Sequence, residues 1–264
     1  MSLIPRHYIE SVVSIGIRLS NNYIDWKGTG FFVVKEVVKG KFQYFLITNR
    51  HVLEKIFGIV IRLREKDTGN LRILDLPLSD GCTWLYSKHP DPTVDIAAIS
   101  ITGGYIKENN LNLSAFNLDD QALKSNDFIE QGGAEGSPVY MLGFPLGLKI
   151  DDFEAPVCRM GCIARINSLE IKKNKIFLLN IQNISGHSGS PIISQPEAIS
   201  VEGTKAFDKS VLIGIVFAYA TYGEQVISPK TKETVGILAE NSGIAFAYPV
   251  EYIRDTVDME IKNH

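Results

Sequence analysis

Three short segments of this chain carry side chains able to move a proton and attack a carbonyl. Thr48-Asn49-Arg50-His51-Val52-Leu53 sets an imidazole just past an apolar run. Val94-Asp95-Ile96-Ala97-Ala98-Ile99 opens another apolar run with a carboxylate, and Ser185-Gly186-His187-Ser188-Gly189-Ser190-Pro191 is a turn of small residues. A serine hydroxyl is a weak nucleophile near neutral pH and needs an imidazole to take its proton. The imidazole in turn needs a carboxylate to fix its tautomer and stabilise its charged form. His51, Asp95 and Ser188 are of the required types, and the glycines flanking Ser188 allow a sharp turn that aims N–H groups at a developing oxyanion. Singly, each has an ordinary reading: a structural histidine, a strand-opening cap, a surface turn. The set of three carries the chemistry.

Other reactive groups have weaker cases. His89 and Asp91 fall in Lys88-His89-Pro90-Asp91-Pro92, where two prolines mark an exposed loop; Asp91 is the replacement acid should Asp95 not meet His51. Asp151, Asp152 and Glu154 form an acidic loop with too few ligands to favour a cation over a solvated face. Gly132, Gly133 and Gly136 lack the Lys-Ser/Thr of a phosphate loop. Cys82, Cys158 and Cys162 are an odd count without close pairs, which argues against a disulfide framework or a zinc site. Cys158 and Cys162 are spaced to share a strand face as small buried hydrophobes. No metal and no cofactor is expected.

The elements that must position these groups are mostly strands. Ser11–Arg18, Gly30–Val38, Phe42–Thr48, Gly58–Leu63, Leu71–Leu76 and Asp95–Ile101 are β-rich, with Lys39-Gly40-Lys41 turning the second into the third as a hairpin. Ile9–Val13 reads as running straight into the first strand. Residues 109–136 are rich in Asn, Asp, Gln and Gly, with one short helix expected at Asp119–Leu123. Strand-like runs resume at Pro138–Leu142, Val157–Ile166, Lys175–Ile181, Val211–Ala220 and Ile244–Tyr248. Pro249 followed by Val250, Ile253, Val257 and Ile261 has helical spacing, with the proline suited to the first turn. The expectation is an all-β protein of two packed six-stranded antiparallel barrels with a C-terminal helix. It divides into 10–116 (His51 and Asp95), a linker at 117–136, and 137–264 (Ser188).

With 264 residues, 45% of them hydrophobic, and a net charge of -3, there is material for a core and no electrostatic reason for a nucleic-acid or anionic-membrane partner. Residues 1–10 lack an apolar run of signal-peptide length and no stretch is long enough to span a bilayer, so a soluble, cytoplasmic protein is expected. Nothing in the sequence sets an oligomeric state.

His51 in "TNRHV", Asp95 in "VDIAAISI" and Ser188 in "GHSGSP" resemble the three catalytic motifs of chymotrypsin-fold (trypsin-like) serine peptidases, in that family's order. The likeness is greatest to the HtrA-type branch, which also has segments similar to Gly143-Phe144-Pro145-Leu146-Gly147 and Gly243–Pro249. Ser190 makes the nucleophile loop similar to the glutamyl endopeptidase branch as well. The resemblance implies a serine endopeptidase acting on a polypeptide through an acyl-enzyme, with the Gly186 and Ser188 amides as oxyanion hole. It implies a primary pocket with Gln182 at its base and Phe217, Ala218, Tyr219 and Ala245 on its walls. With no fixed charge among these, an apolar or small uncharged residue before the cut bond is expected. Two alternatives stay open: a pseudo-peptidase that holds extended peptides between the barrels, and a small-ester hydrolase.

The sequence also departs from the family. No PDZ segment follows the barrel, so HtrA-type assembly and peptide sensing are not carried over. His187 stands where zymogen-activated relatives have an Asp that pairs with a newly cut N-terminus, so no such cleavage is expected. Phe217 replaces a serine that hydrogen-bonds the catalytic acid in many relatives, which removes one support from Asp95.

Overall fold

A computed structural model describes residues 4–20, 23–64, 70–147 and 155–263. The acidic loop of Asp151, Asp152 and Glu154 lies outside them. Alternation of apolar residues along the strands organises the fold. In the first half, β1 (Val12–Ser20), β2 (Tyr23–Val38), β3 (Lys41–Thr48), β4 (Gly58–Arg64), β5 (Leu71–Pro77), β6 (Ser87–Lys88), β7 (Ala97–Ile101) and β8 (Phe116–Asn117) form one sheet. Its order is β5-β4-β1-β2-β3-β7-β6, with β8 running parallel to β2. In the second, β9 (Pro138–Gly143), β10 (Val157–Arg165), β11 (Phe177–Asn180), β12 (Pro191–Ser194), β13 (Leu212–Ile227) and β14 (Thr234–Pro249) close a barrel in the order β10-β11-β14-β13-β12-β9.

The expected chymotrypsin-like fold is borne out, with one difference. The first half is a curled eight-stranded sheet whose outer edges meet, among the described residues, through a Ser79–Trp84 bridge and Leu85 N–H on Leu78 O at 2.9 Å. Strand β6 is two residues long and followed by Pro90 and Pro92, so it has few N–H groups to extend a ladder.

Successive residues of the central strands feed different cores. Phe31 and Val33 of β2, Phe45 and Ile47 of β3, and Tyr140 and Leu142 of β9 meet between the halves. Phe32 and Leu46 point into the core of the first sheet, and Val139 and Met141 into the barrel. Each such large side chain contributes roughly 1.5–3 kcal/mol on burial.

The helices are α1 (Arg6–Glu10), α2 (Arg50–Leu53), α3 (Gly103–Glu108), α4 (Ser125–Glu130), α5 (Ser168–Asn174) and α6 (Val250–Asn263). Helix α6 starts right after Pro249 and buries Val250, Ile253 and Val257 completely in the core between the halves. Among the described residues no helix is long and apolar enough to cross a membrane.

Several local expectations are corrected. A turn of helix, α1, intervenes before β1, tied by Ser11 Oγ donating to Tyr8 O at 2.8 Å. The linker helix is α4, not Asp119–Leu123. There Gln121 N–H closes a turn onto Asn117 O (2.7 Å), and Leu123 N–H bonds Leu212 O (3.0 Å), which lays the chain along β13 instead of continuing a helix. His89 is 7% exposed, beneath Tyr252 of α6, not in an open loop. The three thiols are free, and Cys158 faces outward because its side of β10 is the barrel exterior. Strands β13 and β14 continue well past the expected runs as a ribbon of sixteen residues each.

Candidate active site

Strand β3 ends at Thr48 and the chain turns directly into α2, so His51 sits one turn beyond a buried strand. Pairing of Thr48 with Ala97 brings the residues just before β7 alongside those just after β3. Asp95 therefore meets His51: its Oδ2 lies 2.5 Å from Nδ1, and its Oδ1 accepts the His51 backbone N–H at 2.9 Å. The Asp95 carbonyl is held too, accepting from Asn49 Nδ2 at 2.9 Å and from Arg50 N–H at 3.3 Å. The Asp95 side chain is 17% exposed and that of His51 45%, so the pair is anchored on its acid side and open on its base side. With Nδ1 engaged by the carboxylate, Nε2 is the nitrogen left to take a proton.

Asp91 is elsewhere. Its carboxylate takes Thr93 N–H (2.9 Å), Thr93 Oγ1 (2.7 Å) and the Lys175 ammonium, which holds its pKa far below the usual carboxylate range. It joins the two halves rather than serving His51.

Ser188 lies between β11 and β12, and its loop is held by the opposite half of the molecule. Thr29 of β2 donates its N–H to Ser188 O (2.9 Å) and its Oγ1–H to Gly186 O (2.8 Å). The same hydroxyl accepts Phe144 N–H at 3.0 Å, while Thr48 Oγ1 donates to Thr29 O at 2.7 Å. Both threonines are fully buried. One residue thus ties the nucleophile loop to the strand that ends before His51.

The approach is close enough to demand glycine. A Cβ on Gly189 (φ +89°) would lie 2.0 Å from Thr29 O, and one on Gly186 (φ +96°) would lie 2.4 Å from Phe144 O. Within the loop, His187 N–H bonds Ile184 O, Gly189 N–H bonds Val216 O and Ser190 N–H bonds His187 O, at 3.1, 3.0 and 2.9 Å. The N–H groups of Gly186 and Ser188 are left without a protein acceptor among the described residues. No hydrogen bond joins Ser188 Oγ to His51 among them either.

His187 is fully buried, and burial first, then the nearby Arg159, pushes its pKa down to about 4. Ile184 N–H points at its Nδ1 and Arg159 Nε–H at its Nε2, both at 3.3 Å. A neutral imidazole has one lone-pair nitrogen, so only one of these donors is satisfied at a time. Arg159 of β10 also donates from Nη1 to Gln182 Oε1 at 3.1 Å.

The expected pocket residues divide. Asn183 Nδ2 donates to Ala218 O at 2.9 Å, which sets Gln182 and its neighbours beside Ala218 and the partly exposed Tyr219 of β13. Phe217 and Ala245 lie deeper. Phe217 falls at a register shift between Val216 and Ala218 and stacks on Tyr248, ring centroids 4.1 Å apart. Ala245 is fully buried in the barrel core. Gln182, expected at the pocket base, carries the Arg159 guanidinium on its Oε1.

A family model described as a trypsin-like peptidase domain matches residues 28–198, a span containing His51, Asp95 and Ser188. The chain belongs to the trypsin-like peptidase domain family. Among solved structures, this trypsin-like chain is similar to the MamO protease domain of Magnetospirillum magneticum in its apo form. That similarity has 16% identity, 94% coverage of this chain and 96% of that one, and a TM-score of 0.44. No curated protein sequence matches it.

Sequence reading missed Thr29 and Arg159. Thr29 had a signal: glycines on both sides of it in a strand mark close approach of other chain. A Cβ on Gly28 would meet Val52 Cγ2 at 3.0 Å, and one on Gly30 would meet Ile15 Cδ1 at 2.8 Å. Arg159 had none, because its partners are 23 and 28 residues away.

Proposed function

We propose that this trypsin-like peptidase is a serine endopeptidase. Ser188 Oγ attacks the peptide carbonyl carbon as His51 Nε2 takes its proton, and Asp95 holds Nδ1–H and stabilises the imidazolium. The tetrahedral oxyanion is received by the N–H groups of Gly186 and Ser188. Its collapse breaks the C–N bond, the amine leaves with the proton from His51, and water repeats the cycle on the acyl-enzyme. The observation carrying this reading is the double grip of Asp95 on His51, through both ring and backbone, beside a loop in which the Gly186 and Ser188 amides have no acceptor among the described residues. Thr29 acts as a positioning residue for that loop.

A second reading has one observation in its favour: the missing hydrogen bond between Ser188 and His51 fits a module that binds extended peptides without cutting them. Fluorophosphonate labelling of the wild-type chain beside Ser188→Ala separates the two. Labelling of wild type alone is the expected result, and an unlabelled wild type leaves the binding module. Digestion of a protein substrate by unlabelled wild type, and not by Ser188→Ala, excludes a small-ester hydrolase.

A further inference from the structure

A guanidinium keeps its charge at any pH a protein survives, so an arginine near a cleft is read by what neutralises it. Arg6, Arg18, Arg50, Arg165 and Arg254 each have a carboxylate within 4.0 Å. Arg159 does not: among the described residues its partners are the neutral amide of Gln182 and the ring of His187. It reaches them because β11 pairs with β10 only from Cys162 and Asn180 onward. Beyond Asn180 the chain runs on past the free stretch of β10 to Gln182, His187 and Ser188.

Two of the five N–H donors of Arg159 are engaged, one of them with an imidazole nitrogen that a second donor, Ile184 N–H, also claims. The guanidinium is partly exposed, next to the segment that Asn183 pins against Ala218. Its remaining donors form a planar fork, the geometry that receives a carboxylate through two parallel bonds. A burial site for an apolar side chain would not keep an unneutralised cation at its base.

We propose that Arg159 is a specificity-determining residue that makes the cleft beside Ser188 select a carboxylate, the side chain of Asp or Glu immediately before the cut bond. This rests on the peptidase reading for its register. Arg159 supplies the charge and Gln182 orients it, and the bond of Arg159 to His187 gives way when a carboxylate enters, freeing His187 to accept Ile184 N–H.

Binding to the Ser188→Ala chain tests this without turnover. Two labelled peptides are used, identical except for Glu or Gln before the intended cut, and read by fluorescence anisotropy. The Glu peptide binds roughly tenfold or more tightly, as a charge-assisted bond does over a neutral one. The advantage shrinks with added salt, disappears in Ser188→Ala/Arg159→Gln, and is partly kept in Ser188→Ala/Arg159→Lys. Equal binding of the two peptides, or tighter binding of the Gln peptide, overturns the proposal. So does an advantage that follows a free C-terminal carboxylate and vanishes on amidation, which would make Arg159 a reader of chain ends. Should an Arg159 variant not fold, the Glu/Gln comparison on Ser188→Ala still decides. Lack of fluorophosphonate labelling of wild type counts against the peptidase reading alone, and leaves the carboxylate result standing.

Discussion

The two halves of the molecule build their shares of the site in different ways. In the first half His51, just past β3, and Asp95, just before β7, are brought together by the pairing of those neighbouring strands, and the hydrogen bonds between them stay within that half. In the barrel, Ser188 sits on a loop closed by its own turn bonds, yet its carbonyl and that of Gly186 are held by Thr29 of the other half. The acid–base pair is self-contained, whereas the nucleophile is positioned only when the halves are packed together. Damage near His51 should therefore act on the chemistry itself, and damage at Thr29 on the geometry that joins the two.

The largest effects sharpen the chemical side. Ser188→Ala or His51→Ala should each lower turnover of a cleaved peptide by roughly 10⁴-fold or more, and the double variant should be little worse, since such residues act as a unit. Additive losses, seen in steady-state kinetics, would mean that they do not work together. Asp95→Asn should keep its fold yet lose about 10⁴-fold in kcat near neutral pH, because an amide favours the wrong His51 tautomer. Asp91→Asn should change kcat little and lower the melting temperature, through loss of its bonds to Thr93 and Lys175. A reversal of these two outcomes would reassign the acid.

Thr29 probes the join. Thr29→Ala strips Gly186 O and Phe144 N–H of a buried partner, a cost of about 1–3 kcal/mol in denaturant unfolding. It should also lower kcat about ten- to a hundredfold with less change in KM, as misplacement of a reacting group does. Thr29→Ser should restore most of both. A stability loss with unchanged kcat would make the contact merely structural.

The smallest effect is that of His187. Its folded pKa, about 4, lies below the ordinary histidine value near 6.5, so folding favours the neutral ring. The stability it contributes is complete above pH 6.5 and is lost as pH falls toward 4, where the unfolded chain takes up a proton that the folded one refuses. The melting-temperature difference between wild type and His187→Asn should change across that window and be flat above it. A difference that changes only above pH 6.5 would contradict buried neutrality.

Most of the fold was legible because it rests on local patterns. The unbroken apolar runs Phe31–Val33 and Phe45–Ile47 mark strands buried on both faces, Gly40 marks the hairpin, and Pro249 with Val250, Ile253 and Val257 marks the last helix. Where a pattern was short or polar, the reading slipped. Asp119–Leu123 has helical composition, but its backbone groups are taken by Asn117 and Leu212.

The sequence by itself determined which residue types could do chemistry and in what order they occur, since a nucleophile, a base and an acid are readable as side chains beside turns. Only the tertiary structure decided which groups touch. It set Asp95 and not Asp91 on His51, turned Phe217 at a bulge onto Tyr248, and sank Ala245 into the barrel. It placed Thr29 under the nucleophile and brought Arg159 to Gln182. The physical reason is range. Strand alternation and turn preference act over a few residues, whereas hydrogen bonds and charge pairs form between groups 20 to 160 positions apart, after the cores have set the distances between them.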